Sequence, residues 1–134
     1  MLLRDDGYCF ACGRNNEKGL HLKFTGNPDR SITALFTAAR THQGYQGVLH
    51  GGIISTLLDE VMAQALIAQG ILAVTAKIEV RFRKPAPLGV ALAATGRLCE
   101  KKGRLCTATA ELTGEDGTIY ATANSVFSLM KPEK

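Results

Sequence analysis

Between Gly51 and Gly70 the chain repeats its apolar residues every three or four positions and carries no Lys or Arg. The spacing of Ile53, Ile54, Leu57, Leu58, Val61, Met62 and Ala65 predicts a helix of about five turns. Gly51 and Gly52 open it, and Gly70 stands where a left-handed closing residue belongs. It is the only segment with a convincing helical period. Everything after it reads as strand: Leu72 to Lys84, Leu88 to Glu100, Arg104 to Thr113 and Thr118 to Met130. These runs are joined by Pro85-Ala86-Pro87, Lys101-Lys102-Gly103 and Gly114-Glu115-Asp116-Gly117, and such short connections predict antiparallel neighbours. In the first run Val74, Ala76, Ile78, Val80 and Phe82 share one face, and Thr75, Lys77, Glu79, Arg81 and Arg83 the other.

Ahead of the helix, Leu20 to Phe24 and Ser31 to Ala38 flank Gly26, Asn27, Pro28 and Asp29, which predicts a hairpin. Ile32, Ala34, Phe36 and Ala38 form its core-facing side. One long helix against one antiparallel sheet of about five to six strands is an α+β architecture. At 134 residues the chain is read as a single domain, 1–134, with residues 1–19 as an N-terminal extension.

The helix is unusual for what stands opposite its apolar stripe. Asp59 lies almost opposite and Glu60 on the flank, among Gly52, Thr56, Ala63, Leu66 and Ile67. A solvent-facing helix would carry basic residues there. The pattern predicts a helix covered by its own sheet on one side and by a second subunit on the other. Carboxylates in such a place either meet an arginine across the interface, Arg81 or Arg97 for example, or do chemistry.

His50-Gly51-Gly52 favours chemistry. Two glycines at a helix start let a ligand approach bare N–H groups whose dipole favours negative charge, although the same pair also serves a tight turn. An oxyanion donor and a carboxylate on one helix are the two parts that acyl transfer needs, one for the tetrahedral oxygen and one to act as base or nucleophile.

Composition narrows the partners. The net charge of +4 favours anionic ligands. Five Phe, three Tyr and no Trp, scattered along the chain, offer no stacking platform for nucleic acid. Arg4, Asp5 and Asp6 interrupt the opening residues where an export signal needs an apolar run, and no segment approaches the length of a membrane span, so a cytoplasmic location is expected. Cys9, Cys12, Cys99 and Cys106 are accordingly expected as reduced thiols. Cys9-x-x-Cys12 with His21 would make three of the four ligands of a structural zinc site, and no second CxxC completes it, so no metal is assigned. GxxxxGK, HExxH and GxSxG motifs are absent.

Gly47-Val48-Leu49-His50-Gly51-Gly52 followed by Leu57-Leu58-Asp59-Glu60 resembles the hotdog-fold acyl-CoA thioesterases, in the branch related to the phenylacetate-degradation thioesterase. The likeness takes in His42-Gln43-Gly44-Tyr45-Gln46-Gly47, the single helix and the four strands after it. Cys9-Phe10-Ala11-Cys12-Gly13 with Gly19-Leu20 is similar to the opening of many members. The resemblance implies a curved sheet wrapped around the helix, a homodimer or homotetramer joined through its sheets, and active sites at the subunit interface. It implies hydrolysis of acyl-CoA without a cofactor, with Asp59 as general base or nucleophile and Glu60 as the second candidate. Gly51, with Gly52 beside it, would hold the thioester oxygen, and His50 would line the site. Where the family often has Asn or Gln six residues before the histidine, this chain has Gly44, leaving Gln43 and Gln46 as candidates to orient water or carbonyl. Lys77, Arg81, Arg83 and Lys84 form a basic edge where members meet the phosphates of coenzyme A. A non-catalytic acyl-CoA or fatty-acyl binding module is the alternative, and a hotdog dehydratase would pair its Asp and His differently.

Overall fold

The computed structural model describes residues 3–130. Its elements in chain order are β1 (Phe24–Gly26), β2 (Ile32–Thr37), a 3₁₀ turn (Arg40–His42), α1 (Gly51–Ile67), β3 (Ala73–Phe82), β4 (Ala91–Lys102), β5 (Leu105–Gly114) and β6 (Ile119–Leu129). The strands form one antiparallel, curved and unclosed sheet in the order β1-β2-β4-β5-β6-β3 around α1, which is the hotdog fold.

α1 starts and stops as its glycines predict. His50 caps it, accepting the Gly52 N–H on Nδ1 at 2.8 Å. At the other end Gly70 takes φ of 77°. The Ile71 N–H reaches Leu66 O at 3.0 Å and the Gly70 N–H reaches Ile67 O at 2.9 Å, closing the last carbonyls as in a Schellman ending. Ile54, Leu57, Leu58, Val61, Met62, Ala65 and Leu66 are buried against Leu92, Ala94, Ala108, Ala110, Leu112 and Phe127 of the sheet. The approach is closest at Gly96 of β4, where a Cβ would stand 2.6 Å from the backbone carbonyl of Val61. Only glycine lets helix and strand meet at that distance.

Three expectations are corrected. The first strand spans Phe24–Gly26 rather than Leu20 to Phe24. His21 is left-handed, with φ of 53°, and Leu20 and Leu22 give their N–H groups to Phe10 and Ala11, so the earlier residues tie down the N-terminal segment instead of pairing with β2. β3 and β4 are not neighbours. β3 pairs with β6 at one edge of the sheet while β4 lies between β2 and β5, and the segment through Pro85-Ala86-Pro87 carries the chain from that edge back to the middle. Two prolines there supply no N–H for a hairpin ladder, and Ala86 instead accepts the Leu49 N–H at 2.9 Å.

The third correction is the alternation of β3. Its register with β6 shifts between Thr75 and Lys77, so Ala76 is an extra residue. Ala73 packs on the core ahead of the bulge and Ile78 and Val80 after it. Thr75 therefore faces the helix, not the side predicted for it by strict alternation.

Candidate active site

The bulge brings Thr75 to Asp59. Its hydroxyl donates to Asp59 Oδ1 at 2.7 Å, and Asp59 is half-buried between α1 and the edge strand. No arginine holds this carboxylate. Arg97 pairs with Asp29 at 3.1 Å, which is the only ion pair among the described residues, and Arg81 is exposed on β3. Thr75 is the partner of Asp59 that the sequence pattern does not single out, since the bulge that turns it inward leaves no mark in a period-two count.

Glu60 has a different setting. Gln64 Nε2 donates to its Oε1 at 3.2 Å, and the Cys9 and Cys12 thiols lie beside it. Burial, followed by the adjoining Cys9 thiol and Glu60 carboxylate, pushes the Cys12 thiol well above its ordinary value. All four cysteines are free.

A cleft of about 690 Å³ opens at the start of α1. The 44–51 loop forms one wall, with Tyr45, His50 and Gly51, and the segment after β3 forms the other, with Phe82, Arg83 and Lys84. Tyr45 is 89% exposed and Phe82 54%, a large apolar surface for an isolated chain to leave in water. Because His50 Nδ1 already takes the Gly52 N–H, the proton of its neutral ring sits on Nε2. The Gly51 N–H donates to no group among the described residues. Of the two glycines, it is Gly51 whose amide remains available to an oxyanion.

Arg83 and Lys84 are held at the cleft by their backbones, both N–H groups donating to Tyr120 O at 2.8 and 3.2 Å. Arg81 and Lys77 lie outside it on exposed strand. Gln43 Oε1 accepts the Gly47 N–H at 3.2 Å and so braces the loop from within, while Gln46 is exposed; neither lines the cleft of a single chain. Gly44 does, and a Cβ there would stand 3.4 Å from His50.

Asp59 is not a lining residue of the cleft either. Eight residues of helix separate it from Gly51, about 12 Å at 1.5 Å per residue. β3 runs antiparallel alongside, with Phe82 against Gly51, 3.4 Å from a Cβ placed there, and Thr75 against Asp59 at the far end. The Asp59–Thr75 pair and the free Gly51 amide thus sit at opposite ends of one edge strand.

A helix wrapped by an antiparallel sheet, with a glycine amide at its start and a carboxylate two turns on, defines the class, and sequence comparison agrees. The profile of the thioesterase superfamily matches residues 46–121, more than half of the chain. The protein belongs to the thioesterase superfamily. It is 28% identical over 125 residues to mouse acyl-coenzyme A thioesterase THEM4, covering 90% of this chain and 54% of that one. The chain spans about half the length of the curated relatives it matches. Among solved structures, a thioesterase superfamily protein superposes with a TM-score of 0.87 at 28% identity, covering 91% of this chain and 60% of the other. The fold is shared with PaaI of the Escherichia coli phenylacetic acid degradation operon (TM-score 0.76, 19% identity, 81% and 83% covered). It is shared too with a Streptococcus pneumoniae thioesterase crystallised with coenzyme A (TM-score 0.77, 18% identity, 84% and 88% covered). Further structures of the streptococcal protein carry alanine in place of a threonine or an aspartate. No helix among the described residues is long and apolar enough to cross a membrane.

Proposed function

We propose that the chain hydrolyses acyl-CoA thioesters to the free acid and CoA at a site shared by two protomers, with no metal in the chemistry. The observation that carries this reading is the division of the site along β3: Asp59 and Thr75 at one end, the Gly51 amide and its cleft at the other. About 12 Å is too far for one carbonyl group to meet both. β3 is an edge strand of ten residues with no partner on its outer side among the described residues. Pairing it with a second copy about a twofold axis near Ile78 and Glu79 would extend the sheet, cover the edge and set Asp59 of each protomer toward Gly51 of the other.

In that arrangement Thr75 donates to Oδ1 of Asp59, which leaves Oδ2 to accept a proton from water. The water oxygen attacks the thioester carbon, the carbonyl oxygen takes the negative charge and accepts the Gly51 N–H, and collapse breaks the C–S bond. The proton taken by Asp59 passes to the departing thiolate. The products are a carboxylic acid and the CoA thiol. Arg83 and Lys84 at the cleft suit the phosphates of CoA, which the positive net charge also favours. THEM4 and the CoA-bound streptococcal structure support the substrate class, and the threonine and aspartate replaced in the latter are the residue types joined here in Thr75 and Asp59. Glu60, engaged with Gln64 and the cysteines, is the less suited base. A homodimer, alone or doubled as a homotetramer, in the cytoplasm completes the proposal.

Thiol release from a panel of acyl-CoAs tests it. Turnover of at least one ester supports hydrolysis; saturable binding of acyl-CoA with no turnover would make the chain a binding module.

A further inference from the structure

Away from the cleft, on the other flank of α1, the structure places three metal-binding side chains together. Cys9 and Cys12 from the N-terminal segment and Glu60 from the helix each present one donor atom, all within 4.8 Å of one another, and all three residues are partly buried. A tetrahedral zinc with Zn–S bonds near 2.3 Å sets its sulfurs about 3.8 Å apart, so the cluster closes on an ion with small side-chain movements. His21, weighed from the sequence as a third ligand before the metal was set aside, is elsewhere: its Nε2 lies 2.6 Å from Asn16 O. A helix residue remote in sequence takes its place.

The segment that carries the thiols is built, not loose. The Gly13 N–H bonds Cys9 O at 2.8 Å, folding the CxxC stretch into one turn, and a Cβ on Gly13 would collide with the backbone of Gly7 and Cys9. Asn15 N–H to Gly7 O at 2.9 Å and Leu22 N–H to Ala11 O at 2.9 Å fix the two flanks. Ala11 and Leu22 are buried in the core beneath. Cys9-x-x-Cys12 is thus held rigidly at metal-ligand spacing against a carboxylate.

We propose that Cys9, Cys12 and Glu60 form a zinc site that pins the N-terminal segment to α1, with the fourth coordination position left for water. Two thiolates and one carboxylate select zinc over magnesium or calcium, which prefer all-oxygen sets. The ion replaces the thiol protons, which leave to solvent, so no oxidant or reductant is required. The site occupies the carboxylate next to Asp59 and has no part in the hydrolysis proposed above; either can stand without the other.

The test uses the full chain, stripped with a chelator, kept reduced with a phosphine, and titrated with zinc or cobalt alone. One metal per chain is expected. Cobalt should give thiolate charge-transfer absorption, and zinc should shield Cys9 and Cys12, not Cys99 or Cys106, from alkylation as mapped by peptide mass. Both readouts work on the unsubstituted chain. Cys9→Ser with Cys12→Ser should abolish binding, and Glu60→Gln should weaken it by at least about tenfold, the loss that even an outer-shell partner's removal can cause. No uptake by the reduced chain, uptake that survives loss of both cysteines, or unchanged affinity in Glu60→Gln would each overturn the proposal.

Discussion

Thr75 Oγ1 lies 2.7 Å from Asp59 Oδ1, a hydrogen bond that fastens the middle of α1 to the edge strand β3 across a bulge. It orients the carboxylate, and it fixes which of the two adjacent acids faces the open edge of the sheet.

Removing that hydroxyl should therefore slow the reaction without unfolding the chain. A hydrogen bond to a charged group is worth roughly 1.5–3 kcal/mol, so Thr75→Ala should lower kcat/KM by about 10- to 100-fold. Thr75→Ser, which keeps the donor, should recover most of the loss. Steady-state kinetics on the best acyl-CoA checks both, and full activity in Thr75→Ala would remove the residue from the site.

The cleft makes its own prediction. Arg83→Ala and Lys84→Ala should each raise KM for an acyl-CoA by about fivefold, the upper range for exposed ion pairs, and leave KM for a short thioester without the nucleotide unchanged. Equal effects on both substrates would take CoA phosphate out of the account. Arg81→Ala, outside the cleft, should have the smaller effect.

Much of this arrangement is legible in the sequence, and the parts that are not share a cause. The helix, its glycine ends and the Ile32, Ala34, Phe36, Ala38 face follow from local periodicity and turn chemistry, and they stand as read. The pairing of β3 with β6 does not, because connection length says nothing when a Pro-rich segment crosses the sheet. Asp59 is singled out by its basic-free surroundings, and it is half-buried with no arginine on it. Its partner Thr75 is not singled out, because one inserted residue reverses the face. Glu60 beside Cys9 and Cys12 is a contact between distant segments that no spacing encodes.

Gly96 tests the packing that positions the helix. A methyl there meets the backbone of Val61 and Met62 at 2.6–2.7 Å, which cannot swing aside as a side chain does. Gly96→Ala should cost about 1–3 kcal/mol of stability, as overpacking does. Denaturant unfolding should show a lower midpoint with an unchanged slope. An unaltered midpoint would mean that α1 and β4 do not approach so closely.

The open edge of β3 predicts self-association. Sedimentation equilibrium should give a mass that is an even multiple of 14.3 kDa. A proline placed within β3, Glu79→Pro for instance, should favour the single chain and reduce thiol release with it. A fully active monomer would refute the shared site.

The most direct test is thiol release by Asp59→Asn set beside Glu60→Gln and the unsubstituted chain, on the best acyl-CoA and with folding confirmed by circular dichroism. Loss of a positioned base should cost on the order of 10²-fold or more in kcat for Asp59→Asn, and Glu60→Gln should lose far less. Unimpaired turnover in a folded Asp59→Asn enzyme would contradict the account, and a larger loss in Glu60→Gln would transfer the role to its neighbour.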